Sequence, residues 1–200
     1  NLRIVAGNDQ PETIVNDIET GNLQGVYPYR KVNQAAIGDG LIISVAGKIY
    51  FLHIINNLAY AYILPGLTDW NDASLMNTWF VQAEDRVYIQ NGYQYAIAWG
   101  GVVGAVSATL ITANTYCEIV TVGTTDYTLI GAPSNTVGIK FTATGTATGS
   151  GTVSMPAYRL FPGKGQMPIG TIMEYAFGRV FVSDKYNQSY ASDIIFGAGF

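Results

Sequence analysis

The sequence predicts an all-β protein built of antiparallel hairpins, and three observations carry that reading. Short apolar and aromatic runs such as Ile49-Tyr50-Phe51, Val87-Tyr88-Ile89 and Val180-Phe181-Val182 are bounded by Gly, Asn and Asp, the pattern of pleated strands between tight turns. The composition has 23 Gly and 14 Tyr but only 12% charged residues, which suits a turn-rich β-chain. One hairpin unit also recurs. A basic residue opens a strand, an Asn-containing turn follows, and a second strand carries alternating tyrosines.

The recurrence suggests how the hairpins are arranged. The copies lie at residues 47–63, 85–97 and 175–194. Lys48 and Arg86 are 38 residues apart, and Arg86 and Arg179 are 93 apart. If residues 107–153 are a 47-residue insertion, the second interval shrinks to 46. Both intervals lie near the roughly 40–50 residues of a four-stranded propeller blade. A blade cannot bury both of its faces alone and needs neighbours. Any antiparallel β-protein also yields hairpins, so a plain sheet arrangement stays open. The expected architecture is a set of partial antiparallel propeller-like blades over 1–106 and 154–200, interrupted by a small β-module at 107–153.

Taken in order, residues 2–5 read as a short strand and 12–19 as an acidic loop or one helical turn. Residues 26–30 are extended because Pro28 biases Tyr27 away from helix. Residues 41–46 and 49–55 form a hairpin around Gly47-Lys48, and 60–64 is the next strand, ending at Pro65-Gly66. Residues 67–72 form a polar connection. Asp69, Asn71 and Asp72 lack the alternating acidic pattern and distal Glu of a calcium loop, so an Asx-turn or helix cap is the better reading. Residues 78–83 are a strand. Inside the insertion, 116–122, 127–130 and 139–143 are strands, and the low-complexity stretch 144–152 is a flexible hairpin tip. Residues 157–161 resume the main pattern, with a turn at 162–165.

Composition excludes several function classes. A net charge of −4 and a pI near 4.8, with only Arg30-Lys31 as adjacent basic residues, argue against a specific nucleic-acid groove. One cysteine, Cys117, rules out an internal disulfide and multi-cysteine metal sites. One histidine, His53, removes the common His-based zinc sites and leaves little for a triad. No charge occurs between Val87 and Cys117, and 95–113 is long enough to span a bilayer. Its glycines, serines and threonines, without a Leu or Ile core, favour uncharged strands over a membrane helix. The chain begins at Asn1 without Met, and the last residues start a new strand unit, so a segment of a longer polypeptide is expected. A mean hydropathy of +0.19 with so few charges points to surface buried against other chains.

Within the insertion, Tyr116, Ile119-Val120, Gly123-Thr124-Thr125-Asp126-Tyr127, Ile130-Gly131-Ala132, Asn135-Thr136-Val137-Gly138 and Phe141-Thr142-Ala143-Thr144-Gly145 form a distinctive series. This stretch resembles a small β-module that recurs in virion proteins of tailed bacteriophages. The flanks carry a second series: Phe80-Val81-Gln82-Ala83-Glu84-Asp85, Val87 to Gly92, Met167 to Thr171, Met173, Tyr175, Gly178 to Val182 and Ala191 to Ile194. They are similar to the β-propeller segments of nozzle-type proteins at the tip of short-tailed, crAss-like phages. The resemblance implies a virion tail protein with an interrupted propeller. It does not reach residues 1–40. It brings no catalytic residue, metal or cofactor, and none is expected.

A glycan-degrading role would need two cooperating carboxylates. Glu84 and Asp85 are adjacent on a strand and face opposite ways, and Asp193, the partner considered for Asp184, reads as a turn cap. His53 in an apolar strand is better read as packed than as a base, and Cys117 as a small buried residue. A binding role would rest on Tyr60, Tyr62, Tyr88, Tyr93, Tyr95 and Trp99 stacking on host-surface glycan, although aromatics at such positions more often pack between sheets. The preferred expectation is assembly. A low-charge wall of identical subunits in a symmetric ring would join neighbouring tail proteins and let DNA pass during genome delivery.

Overall fold

The computed structural model describes residues 3–8, 10–32, 34–64, 76–84, 86–160 and 167–192. The turns expected at 65–66 and 162–165, the polar connection 67–72, Asp85, Asp193 and Ile194 lie outside these residues. The described chain is mostly β, in four separate open sheets.

The first sheet is formed by β1 (Arg3–Ala6), β2 (Leu23–Tyr29), β3 (Gly40–Val45), β4 (Lys48–Ile55) and β5 (Leu58–Ile63), with an eight-residue helix, α1 (Thr13–Thr20), between β1 and β2. Strands β2 to β5 make an antiparallel meander, and β1 adds to β5 in parallel. The β3–β4 and β4–β5 turns put Ala46, Asn56 and Asn57 at positive φ, followed by Gly47 in the first turn, as two-residue hairpin turns require. Sequence reasoning left 12–19 between loop and helical turn. The i, i+4 pair Ile14 and Ile18 is the helix signal, since both pack on the first sheet.

The second sheet begins with β6 (Trp79–Ala83), β7 (Arg86–Gln90) and β8 (Ile97–Trp99). The chain then leaves to form a sheet of its own from β9 (Ala105–Ser107), β10 (Tyr116–Thr121), β11 (Lys140–Thr142) and β12 (Thr152–Ser154), in the order β11-β10-β12-β9. It returns as β13 (Tyr158–Arg159), which pairs with β8 and completes a four-stranded antiparallel meander. The excursion therefore lies between the third and fourth strands of the second sheet. The last sheet, called the third sheet below, is β14 (Ile172–Ala176), β15 (Arg179–Ser183) and β16 (Ser189–Ala191), and the β9–β12 sheet is the inserted sheet.

Alternation along the strands gives the first and second sheets two buried faces each. On the first sheet, Ile43, Val45, Tyr50, Leu52, Ala59 and Ala61 form the cluster covered by α1. The opposite face supplies Tyr29, Ile42, Ile49, Phe51 and Tyr62 to a cluster shared with Val87, Ile89, Ile97 and Trp99 of the second sheet. The other face of the second sheet gives Val81, Ala83, Tyr88, Ala96 and Ala98 to a cluster with Met167, Val180 and Val182. The order is α1, first sheet, second sheet, third sheet. Each fully buried side chain stabilises by about 1.5–3 kcal/mol on transfer grounds, and none of the three sheets could gain this alone.

The first strands of the three meanders adjoin and run the same way. The Thr78 N–H donates to the Gln24 carbonyl at 2.9 Å, and the Gln82 N–H to the Tyr27 hydroxyl at 3.0 Å, so β2 and β6 advance together. Strand β14 packs beside β6, with the Tyr175 hydroxyl donating to Glu84 beyond the end of β6. Three glutamines lock these joints. Gln24 Nε2 donates to the Met76 carbonyl at 3.1 Å, while its Oε1 accepts the Gly47 N–H at 2.8 Å. Gln82 donates to the Arg30 carbonyl at 2.7 Å and accepts the Arg30 N–H at 3.0 Å. Gln90, fully buried, donates to the Pro168 carbonyl at 2.7 Å and accepts the Gly170 N–H at 2.6 Å. The amide, with one donor and one acceptor side, matches a stretch of backbone that no strand pairs.

Two expected strands and one expected flexible tip are different. Residues 93–95 are a loop, because Asn91 Oδ1 accepts the N–H groups of Tyr93 and Gln94 at 3.0 and 2.9 Å and holds an Asx-turn. Residues 127–130 are a 3₁₀ helix, capped by Asp126, whose carboxylate accepts the Thr128 N–H, and ended by Gly131 at φ +101°. Residues 144–152 are not a free tip. Ala147 is buried, and a side chain on Gly151 would meet the Tyr127 hydroxyl at 2.4 Å, so the glycine is there for close packing rather than looseness. The uncharged stretch 95–113 folds as β8, β9 and a short 3₁₀ turn at Ala108–Leu110. No helix among the described residues is long and apolar enough to cross a membrane.

Replacing Gln90 by Leu would leave the Pro168 carbonyl and the Gly170 N–H buried without a partner. We expect this to cost about 2–3 kcal/mol in urea unfolding. Gln82→Leu, at a more open joint, should cost under about 1 kcal/mol.

Candidate interaction surfaces

The stack has two unlike ends. At one end α1 is clamped down by charge. Asp17 Oδ2 accepts from Lys48 Nζ at 2.7 Å and from the Tyr50 hydroxyl at 3.0 Å. The Lys48 hydrogen bond is the main cause that holds the Asp17 carboxyl below the usual range, and burial raises the Tyr50 phenol. At the other end, Val180 and Val182 turn towards the second sheet. Alternation then puts Ile172, Glu174 and Phe181 on the opposite face of the third sheet. Ile172 is 65% exposed there.

The inserted sheet has its own core, with Ile111, Cys117, Ile119, Tyr127, Ile130, Phe141 and Val153 buried together. The Tyr127 hydroxyl donates to the carbonyls of Thr121 and Thr152 and so ties the 3₁₀ turn to the sheet. Asp126 accepts from Asn135 and from the Thr128 hydroxyl and backbone, the hydroxyl first, which lowers its pKa. The outer surface of this sheet is sparsely charged and rich in hydroxyls, with Leu129 and Val137 among the exposed apolar side chains. Lys140 pairs with Glu118 at 3.7 Å. The sheet is joined to the second sheet through Arg86, which donates to the Asn114 carbonyl and the Tyr158 hydroxyl, and through Tyr116 packed on Tyr158.

The aromatics considered for glycan stacking do not form an open platform. Tyr62, Tyr88 and Trp99 are buried, Tyr60 and Tyr95 are half-buried, and only Tyr93 is exposed. Two other exposed aromatics lie in the turns of the last sheet. Phe177 caps the β14–β15 turn at φ +54° and Tyr186 sits in the β15–β16 turn. A turn position of positive φ favours Asn or Gly, and that mismatch is the one available sequence signal for Phe177.

The titratable groups are dispersed. His53 stacks on Phe51, and burial lowers its pKa. Cys117 is fully buried and its thiol is pushed up to about 12. Glu84 is taken up by Tyr175. Asp184 accepts from Tyr186 N–H, Gln188 N–H and the Tyr190 hydroxyl, chiefly the Gln188 N–H, which lowers its pKa. Among the described residues no three His, Cys, Asp or Glu side chains gather to hold a metal ion. Compared with protein-family models, curated proteins and solved structures, the chain matches none.

The Asp17 clamp has a definite pH signature. Its folded pKa lies below the ordinary value of 3.8, so its stabilising contribution is complete above that value and is lost as pH falls through the lower, folded one. Unfolding free energy should therefore drop below about pH 4 in the wild-type protein. Asp17→Asn should be less stable at neutral pH and show a shallower acid limb.

Proposed function

We propose that this chain is a structural wall segment of a bacteriophage tail, of the nozzle type, that assembles with copies of itself and with neighbouring tail proteins during genome delivery. The observation that carries the reading is the arrangement of the three meanders. They stack face to face with their first strands side by side and parallel in direction. That is how successive propeller blades are arranged around an axis, and we read β2, β6 and β14 as the inner staves of an arc of blades. The fifth strand and α1 cap the arc on one side, so this arc extends through the third sheet.

The chemistry of the surface supports assembly over catalysis. The stack ends on a face where exposed Ile172 lies beside Phe181 and Glu174, and the inserted sheet offers a sparsely charged, hydroxyl-rich surface at the outer strands of the second sheet. A sparsely charged, hydroxyl-rich face costs less to desolvate than a charged one when its hydroxyls find new partners, which favours repeated contacts between identical subunits. The net charge of −4 would give passing DNA little to hold. A place in the virion follows from the sequence resemblance.

The test is mass by light scattering on the full-length protein, with negative-stain images of the same fraction. Rings or tubes of several copies are expected. A monomer that persists at tens of micromolar would overturn the reading.

A further inference from the structure

We infer that the cleft between the outer edge of the first sheet and the arm leading to the inserted sheet is a subsite for one neutral sugar ring. The proposal goes beyond the tail-wall reading and does not rest on it. The cleft has a volume of about 280 Å³ and is lined by polar Asn8, Gln10 and Tyr62, by apolar Ile37, Ile63 and Val103, and by Gly104. That is at the small end of ligand pockets, which run from roughly 300 Å³ upward, and it suits one ring rather than a chain.

The lining selects the chemistry of the occupant. No charged side chain among the described residues contributes to the cleft. From these described residues a charged ligand would gain no counter-charge in return for its lost hydration. Gln10 Oε1 accepts the Ile63 N–H at 3.2 Å, which leaves the two Nε2 hydrogens to donate. The Tyr62 hydroxyl receives a backbone hydrogen bond from Asn8, and burial raises its pKa, so it keeps its proton and can donate it onward. The Asn8 amide adds both a donor and an acceptor. A lining that combines uncharged donors with apolar side chains matches a ring that carries hydroxyl oxygens at its edge and C–H groups on its face.

The site is also preorganised. A side chain on Gly7 would lie 2.3 Å from the Tyr62 ring, so glycine there is what lets the ring occupy its place. Gly104, at φ +76° with open space around it, forms the wall on the side of the arm. Binding would rigidify the junction between the first sheet and the inserted one.

The test is an NMR titration of the full-length protein with glucose, galactose, mannose and N-acetylglucosamine, with glucuronate and glycerol as controls. At least one neutral sugar is expected to bind saturably, with a dissociation constant on the order of millimolar, and to shift the side-chain amide signals of Asn8 and Gln10. Glucuronate and glycerol should bind more weakly. Gln10→Ala should weaken binding about fivefold to tenfold, and Val103→Trp, which fills the cleft, should abolish it, each with an unchanged circular dichroism spectrum. The amide shifts are read on the wild-type protein, so they decide the matter even if a variant fails to fold. Absence of binding by every neutral sugar, stronger binding of glucuronate, or shifts that bypass Asn8 and Gln10 would each overturn the proposal. A monomer that binds sugar would remove the ring reading and leave this one. A ring that binds none would do the reverse.

Discussion

A sheet with apolar side chains on both faces is stable only when both are covered, and this requirement organises the molecule. Phe51 and Trp99 meet it most directly, with ring centroids 5.3 Å apart across the joint between the first and second sheets. Tyr29 closes the group at 5.6 Å from each ring. These rings come from three different strands and have no local reason to be buried. They are buried because the sheets stack, and the stack is what aligns the first strands of the meanders. The glutamine joints then supply what apolar packing lacks, a fixed register between backbones that are not paired as strands.

The strands were legible because alternation and turn chemistry are local. Asn56-Asn57 and Gly47 mark their hairpins without help from the rest of the chain. The errors fell where a side chain outbid the backbone pattern. Asn91 and Asp126 each draw nearby N–H groups into a turn, and a run that reads as strand becomes loop or 3₁₀ helix. Gly149 and Gly151 look like looseness in sequence and are close packing in space, because what they approach, Thr125 and Tyr127, lies 24 residues away in each case. The 93-residue interval between Arg86 and Arg179 contains the excursion between β8 and β13. The parallel pairing of β1 with β5, the clamp on α1 and the glutamine joints were not visible, since each depends on partners brought together only by the fold.

The surfaces were less legible than the core. The tyrosines that looked available for stacking are mostly consumed by sheet packing, which is the usual fate of aromatics at alternating positions. What the fold leaves outside is a sparsely charged, hydroxyl-bearing sheet, a mixed face with exposed Ile172 on the third sheet, and a small amide-lined cleft. Two of these suit contacts with other protein surfaces and the third suits a small ligand. The tail-wall reading joins the first two to the sequence resemblance, and the cleft stands by itself.

The face-to-face stacking of the first two sheets is the claim on which the rest depends, and a double-mutant cycle on Phe51 and Trp99 tests it most directly. Stabilities would be measured by urea unfolding for Phe51→Leu, Trp99→Phe and the double variant. If the rings meet as described, the two losses should be non-additive by about 0.5–1.5 kcal/mol. Additivity to within about 0.3 kcal/mol would mean that the rings do not share a joint, and would contradict the stacked arrangement.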